Sequence, residues 1–162
     1  MKPIRGIQAS AYLIAALVFT LDQLSKAWVL GRFHSLGGYS IPVWGPLRLT
    51  LVQNGGVSFG LLQGGSASGR WALSAFSLAV FLVLAAWVRR LERLITIIAV
   101  GMIMGGAVGN LVDRVRLGSV MDFVDLQQLF FPWVFNLADS AISVGIALLL
   151  VENLFFPRAA EP

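Results

Sequence analysis

Four apolar stretches of membrane-spanning length mark this chain: about Ile7 to Leu30, Trp71 to Val88, Leu94 to Val112 and Val134 to Val151. At 1.5 Å rise per residue, about 20 helical residues cross the hydrocarbon of a bilayer. The second stretch has no charge and the third none before Asp113; Asp22 and Lys26 interrupt the first and Asp139 the fourth. Composition agrees with bilayer residence. Of 162 residues, 57% are hydrophobic and 12% charged, and the mean hydropathy is +0.81. A soluble domain is roughly 25% charged, because a small fold needs polar side chains over a large surface. A soluble enzyme, a DNA-binding module and a disordered tail are thereby excluded. The expected fold is an all-α integral membrane protein, one membrane domain over 1–162 with four transmembrane helices, spans 7–30, 71–88, 94–112 and 134–151.

Lys2 and Arg5 ahead of an apolar run also fit a cleaved signal peptide. The run reaches Asp22 and Lys26 without a small-x-small cleavage pattern, so it reads as a retained span.

The formal charge is +4. The basic residues form no stripe, so they read as anchors against anionic headgroups and not as a nucleic-acid surface. Cysteine is absent and His34 is the single histidine. That excludes disulfides, a thiolate nucleophile and a histidine-rich metal centre; no metal and no cofactor is expected.

Arg89, Arg90 and Arg93 crowd the short link between spans two and three, and Lys2 and Arg5 lie at the start. Both places are cytoplasmic under the positive-inside rule. Four crossings put the C-terminus there too. The larger outer segment, 31–69, holds Leu47-Arg48-Leu49-Thr50-Leu51-Val52, which reads as a strand, and glycines that supply tight turns. A small sheet on the membrane surface is expected. The second outer segment, 114–133, is short and mixed; Phe130, Phe131, Pro132 and Trp133 resemble an interfacial aromatic anchor.

Gly101, Gly105 and Gly109 are spaced by four and share a helical face. Small residues let another helix approach closely in lipid. Gly109 adjoins polar residues and also reads as room for substrate.

A charge in lipid is costly, so each needs a partner or a task. The polar groups Asp22-Gln23-Leu24-Ser25-Lys26, Asn54-Gly55-Gly56, Asn110 to Arg114, Asp122 to Asp125 and Asn136 to Ser140 all fall at the expected outer side. Asp22 and Lys26, four apart, can pair on one helix face, as a structural ion pair or as part of catalysis. Asp113 and Arg114 read either as a buried network fixing helix ends or as substrate contacts. Asn54 can place its amide on a peptide backbone, or simply mark a turn before glycine.

Asp122 and Asp139 are the acids best placed for chemistry. Two close carboxylates share a proton; one can serve as base on a water while the other polarises a carbonyl. They are 17 residues apart, so the chain between them must fold back.

In this order the chain carries Asp22-Gln23-x-Ser25-Lys26, Asn54-x-Gly56-Val57-Ser58-Phe59, Gly105-Gly106-x-x-Gly109-Asn110-x-x-Asp113-Arg114, Val120-x-Asp122-Phe123 and Phe135-Asn136-x-Ala138-Asp139-Ser140. With these motifs it resembles the bacterial lipoprotein signal peptidases (signal peptidase II). The resemblance implies an intramembrane aspartyl endopeptidase that removes signal peptides from diacylglyceryl-modified prolipoproteins, cleaving before the lipid-modified cysteine. It implies Asp122 and Asp139 as the catalytic pair. Asp22, Lys26, Asn54, Gly56, Asn110, Asp113, Arg114 and Asn136 are then implied to shape the site or bind substrate. It further implies an extracytoplasmic β-cradle with a short amphipathic lid helix within 31–69, inhibition by globomycin, and a monomer among membrane lipids. The place implied is the bacterial inner membrane, both termini cytoplasmic and the site near the outer leaflet.

Three other readings compete. Ser25 and Lys26 suggest a serine–lysine protease, but adjacent helical residues point about 100° apart and pair poorly. A small multi-span transporter or channel would use Asp22, Asp113 and Asp139 as an ion path. A purely structural membrane subunit would tolerate Asp122→Asn.

Overall fold

The computed structural model describes residues 6–37, 40–56 and 67–155. Its helices are α1 (Gly6–Leu36), α2 (Ala67–Val88), α3 (Leu94–Leu117) and α4 (Leu137–Phe155). Its strands are β1 (Ser40–Trp44), β2 (Leu47–Asn54), β3 (Val120–Asp125) and β4 (Val134–Phe135). All four helices are long and apolar enough to cross a membrane.

Helix α3 is the central one, packed against the other three. Its glycines explain how. A Cβ at Gly101 or Gly105 would lie 2.7 Å from the Ala11 carbonyl or 2.6 Å from that of Ala15, so α1 rests directly on this face. On another face, a Cβ at Gly106 would lie 2.5 Å from the Ala138 carbonyl of α4. Helix backbones that touch gain dispersion contacts that lipid cannot replace. Ala11, Ala15, Val88, Leu91, Ile97, Val100 and Met104 form the core of the bundle.

Several helix limits differ from the expected spans, among them the start of α2 at Ala67 and the end of α4 at Phe155. Helix α1 continues to Leu36 and stops at Gly37, whose φ of +65° suits glycine and whose N–H donates to the Phe33 carbonyl at 3.0 Å. Helix α3 passes Val112 and runs to Leu117, closed in the same way by Gly118 at φ +84°. Arg114 and Arg116 are compatible with its last turn because cations favour a helix C-terminus. Polarity marks the end of an apolar span, not of a helix. Helix α4 begins at Leu137, because Val134 and Phe135 form β4.

The four strands make one antiparallel sheet in the order β1-β2-β3-β4. Half of it comes from the segment between α3 and α4, which reads as short and mixed in sequence. Nearly every residue of β3 is buried, acids included, so it shows no alternating pattern to read. Phe130 and Trp133 are exposed, and Phe131 makes edge-on contacts with Trp133 and Phe135. A lid helix would have to lie in the rest of 31–69, outside the described residues.

The sheet covers one end of the bundle, where Leu49, Met121 and Phe123 pack with Val29 and Phe33 of α1. At the far end Gln8 donates to the carbonyls of Arg89 and Leu91 at 3.2 and 2.9 Å. There Glu152 accepts from Thr96 and meets Arg93 at 3.5 Å, tying α4 to α3.

Candidate active site

Helix α4 opens on a reciprocal cap. Asn136 Oδ1 accepts from the Asp139 backbone N–H at 2.9 Å, and Asp139 Oδ2 accepts from the Asn136 N–H at 3.2 Å. This is a capping box with aspartate in the third helical position. It places the Asp139 carboxylate at the helix N-terminus, where negative charge is favoured, at the sheet end of the bundle.

The same cap orients Asn136. With its Oδ1 engaged, its Nδ2 points the other way and donates to Asp122 Oδ1 at 2.7 Å. Asn136 therefore bridges the two acids, and the fold-back between them is supplied by the β3–β4 pairing. Each carboxylate has one further amide donor. Asn54 Nδ2 donates to Asp122 Oδ2 at 2.9 Å, and Asn110 Nδ2 to Asp139 Oδ1 at 2.8 Å. Burial pushes the Asp122 carboxyl up to about 6; Asp139's charge acts in the same direction, while the Asn54 and Asn136 bonds and Lys26 oppose it.

Asn54 fills the turn role of its motif, and its amide meets an acid where the sequence suggested a peptide backbone. Its Nδ2 holds Asp122, and its Oδ1 accepts from the Gly56 N–H at 2.8 Å, an Asx turn. Gly56 has φ +88°, and an added Cβ would run into Leu73 of α2.

Behind the pair lies an ionic cluster. Lys26 Nζ sits 2.7 Å from both Asp22 Oδ2 and Asp113 Oδ2. Gln23 Nε2 donates to Asp22 at 3.1 Å and to Asp113 at 3.0 Å. Gly109 makes room for this cluster, since its Cβ would lie 2.6 Å from Asp22 Oδ2. The cluster reaches forward at two points. Asp22 Oδ1 accepts from the Ala138 N–H at 3.1 Å and Asp113 Oδ2 from the Met121 N–H at 3.3 Å. Ala138 precedes Asp139 and Met121 precedes Asp122, so each acid holds the backbone just ahead of one candidate acid. A cavity of about 160 Å³ borders the cluster, lined by Gln23, Lys26, Asp113 and Arg116 among others; neither Asp122 nor Asp139 lines it.

Asp113 and Arg114 do not work as a pair. Neighbours on a helix point apart: Asp113 faces α1, whereas Arg114 reaches toward Ser77 of α2 at 3.5 Å and the Asn110 carbonyl at 3.3 Å. Two participants escaped the sequence reading of the site. Gln23 stood in a motif without a role, and the contacts of Ser77 depend on helix packing that no local pattern reveals.

A family profile described as "Signal peptidase (SPase) II" matches residues 14–155. The chain belongs to the signal peptidase II family. It is 52% identical to the "Lipoprotein signal peptidase" of Caulobacter vibrioides, over 88% of this chain and 85% of that one. The protein of that name from Beijerinckia indica is 38% identical, over 93% and 90%. A solved structure of a bacterial membrane enzyme superposes with a TM-score of 0.77 at 25% identity, covering 93% of this chain and 95% of the other. A second structure of a bacterial membrane enzyme gives 0.74 at 25% identity over 95% and 94%. This signal peptidase II is a multi-pass inner-membrane aspartic peptidase. Membership leaves the transporter and channel reading without support.

Proposed function

We propose that Asp122 and Asp139 are the catalytic pair of this peptidase, and that it cleaves diacylglyceryl-modified prolipoproteins before the lipid-modified cysteine. The observation that carries this reading is the Asn136 bridge, which joins a buried acid, Asp122, to the half-buried Asp139 across the end of a membrane-length helix bundle. With one proton shared, the ionised carboxylate takes a proton from water as its oxygen attacks the scissile carbonyl. The protonated partner hydrogen-bonds the carbonyl oxygen as it becomes an oxyanion. Collapse breaks the C–N bond and passes a proton to the departing amine. Asn54 and Asn110 each hold one oxygen of the pair, Gly56 lets the β2 turn come close, and Asp22, Lys26, Asp113 and Asn136 fix the two acids. Arg114, half-buried between α2 and α3, supplies positive charge beside them.

In this reading the sheet end faces out of the cell, near the outer leaflet, and both termini are cytoplasmic. The density of Arg89, Arg90 and Arg93 at the far end supports it. Substrate lipid chains would keep the scissile bond at that depth. In this reading the enzyme works as a monomer among membrane lipids, with globomycin as a blocker of the pair.

The test is a gel-shift assay on a diacylglyceryl-modified precursor with purified enzyme, with and without globomycin. Asp122→Asn and Asp139→Asn each lower turnover by about a thousandfold or more while the protein stays folded. Normal processing by either variant overturns the assignment.

A further inference from the structure

Strand β2 carries one extra residue against β3. Arg48 pairs with Asp125 and Leu49 with Val124, but the next pair is Val52 with Asp122. Thr50 and Leu51 thus face Phe123 alone, a β-bulge. Without the shift, Leu51 would oppose Asp122, and Asn54, three residues on, would project from the other face of the sheet. With it, Val52 opposes Asp122 and Asn54, two residues on, shares its face. The 2.9 Å bond from Asn54 to Asp122 depends on this extra residue.

The bulge is fastened by side chains. Thr50 Oγ1 donates to Asp125 Oδ2 at 2.6 Å. Asp125 Oδ1 accepts from the Gln127 N–H at 3.0 Å. Ser40 and Thr50 hydroxyls meet at 2.9 Å, and Arg48 Nε donates to Ser40 at 3.1 Å. Asp125 is 5% exposed, a buried carboxylate that the proposed chemistry does not use.

We infer that Asp125, acting through Thr50, is a positioning residue that locks the β2 bulge and so keeps Asn54 on the Asp122 carboxylate. The inference rests on Asp122 being catalytic. The bond from Thr50, the Gln127 N–H and the charge of Arg48 hold the Asp125 carboxyl below its ordinary range, so it stays an acceptor. The charges bearing on Asp122 itself are Asp139 from α4, Lys26 from α1 and Arg114 from α3. None of them is touched by changing Thr50 or Asp125.

The experiment compares pH profiles of precursor cleavage for the wild type, Thr50→Val, Asp125→Ala, Asp125→Asn and Asn54→Ala, with folding checked by thermal melts in detergent. Thr50→Val and Asp125→Ala should lower kcat roughly tenfold, in line with loss of a buried charged hydrogen bond. Their alkaline limb should move to higher pH, as in Asn54→Ala, because Asp122 loses a donor that favours its ionised form. Combining either with Asn54→Ala should add little. Asp125→Asn should restore most activity, since its amide can donate to Thr50 while its oxygen keeps the Gln127 bond. If Asp125→Ala fails to fold, Thr50→Val, which lacks one hydroxyl, decides. An unmoved limb, or a loss that multiplies with Asn54→Ala, overturns the inference. An active Asp122→Asn would instead overturn the catalytic reading; an inactive Asp122→Asn beside a wild-type profile for Thr50→Val overturns the positioning role alone.

Discussion

Asp22 accepts a hydrogen bond from the backbone N–H of Ala138 at 3.1 Å, the residue just before Asp139. A carboxylate on the first helix thus grips the opening turn of the last. Lys26 Nζ lies 2.7 Å from that carboxylate and from Asp113, all three buried, so removing it leaves two buried acids facing each other. Lys26→Met should destabilise the protein by about 3–5 kcal/mol, the range for breaking a buried pair on one side. Thermal unfolding in detergent measures it, and a loss below about 1 kcal/mol would mean that the cluster is hydrated and weak.

Asn136 is the piece through which the two candidate acids sense each other. Asn136→Ala deletes its bond to Asp122 and the side-chain half of the α4 cap. At about 1–3 kcal/mol per buried bond to a charged group, kcat should fall by about a hundredfold. Steady-state cleavage of a lipidated precursor measures the change, and a wild-type kcat is the contrary result.

Helix spacing should matter as much as the acids. A Cβ on Gly106 meets the Ala138 carbonyl, one residue from Asp139. Gly106→Val should part α3 from α4 and lower both the melting temperature and kcat. At the far end, Thr96→Val removes a hydroxyl donor to Glu152 and should cost about 1 kcal/mol of stability with little change in kcat. The contrast between these two variants, in paired melts and rates, separates packing at the site from packing in general.

The pH dependence follows from Asp122. Its carboxyl is raised to about 6, so the shared proton is lost, and activity falls, as pH climbs through that value. The stability effect has a definite sign. Between the ordinary carboxylate pKa of about 3.9 and the folded value, the native state holds more protons than the unfolded one, so stability declines as pH rises across this window. Asp122→Asn should flatten that decline. Melting curves from pH 4 to 7 for both proteins would reveal a persistent slope, which would trace the effect to another group.

Much of this was legible in the residues. Four spans followed from length and apolarity, and the Asp22–Lys26 pair from its spacing of four. The motifs named Asp122 and Asp139, yet nothing local joins them. Their link is Asn136, whose amide orientation depends on the α4 cap. That Gly109 accommodates Asp22 could not be read from the sequence, because Asp22 comes from a different helix. Strand β3 stayed hidden because burial on both faces erases alternation. The β2 bulge escaped because register is a property of two strands.

The wide separations along the chain set an order of assembly. Asn54 is made 68 residues before Asp122, and Asp22 waits 116 residues for Ala138. A ribosome delivers three helices before the first candidate acid and the start of the fourth with the second. On the proposed reading, the catalytic pair is complete only once the first turn of the fourth helix has been made.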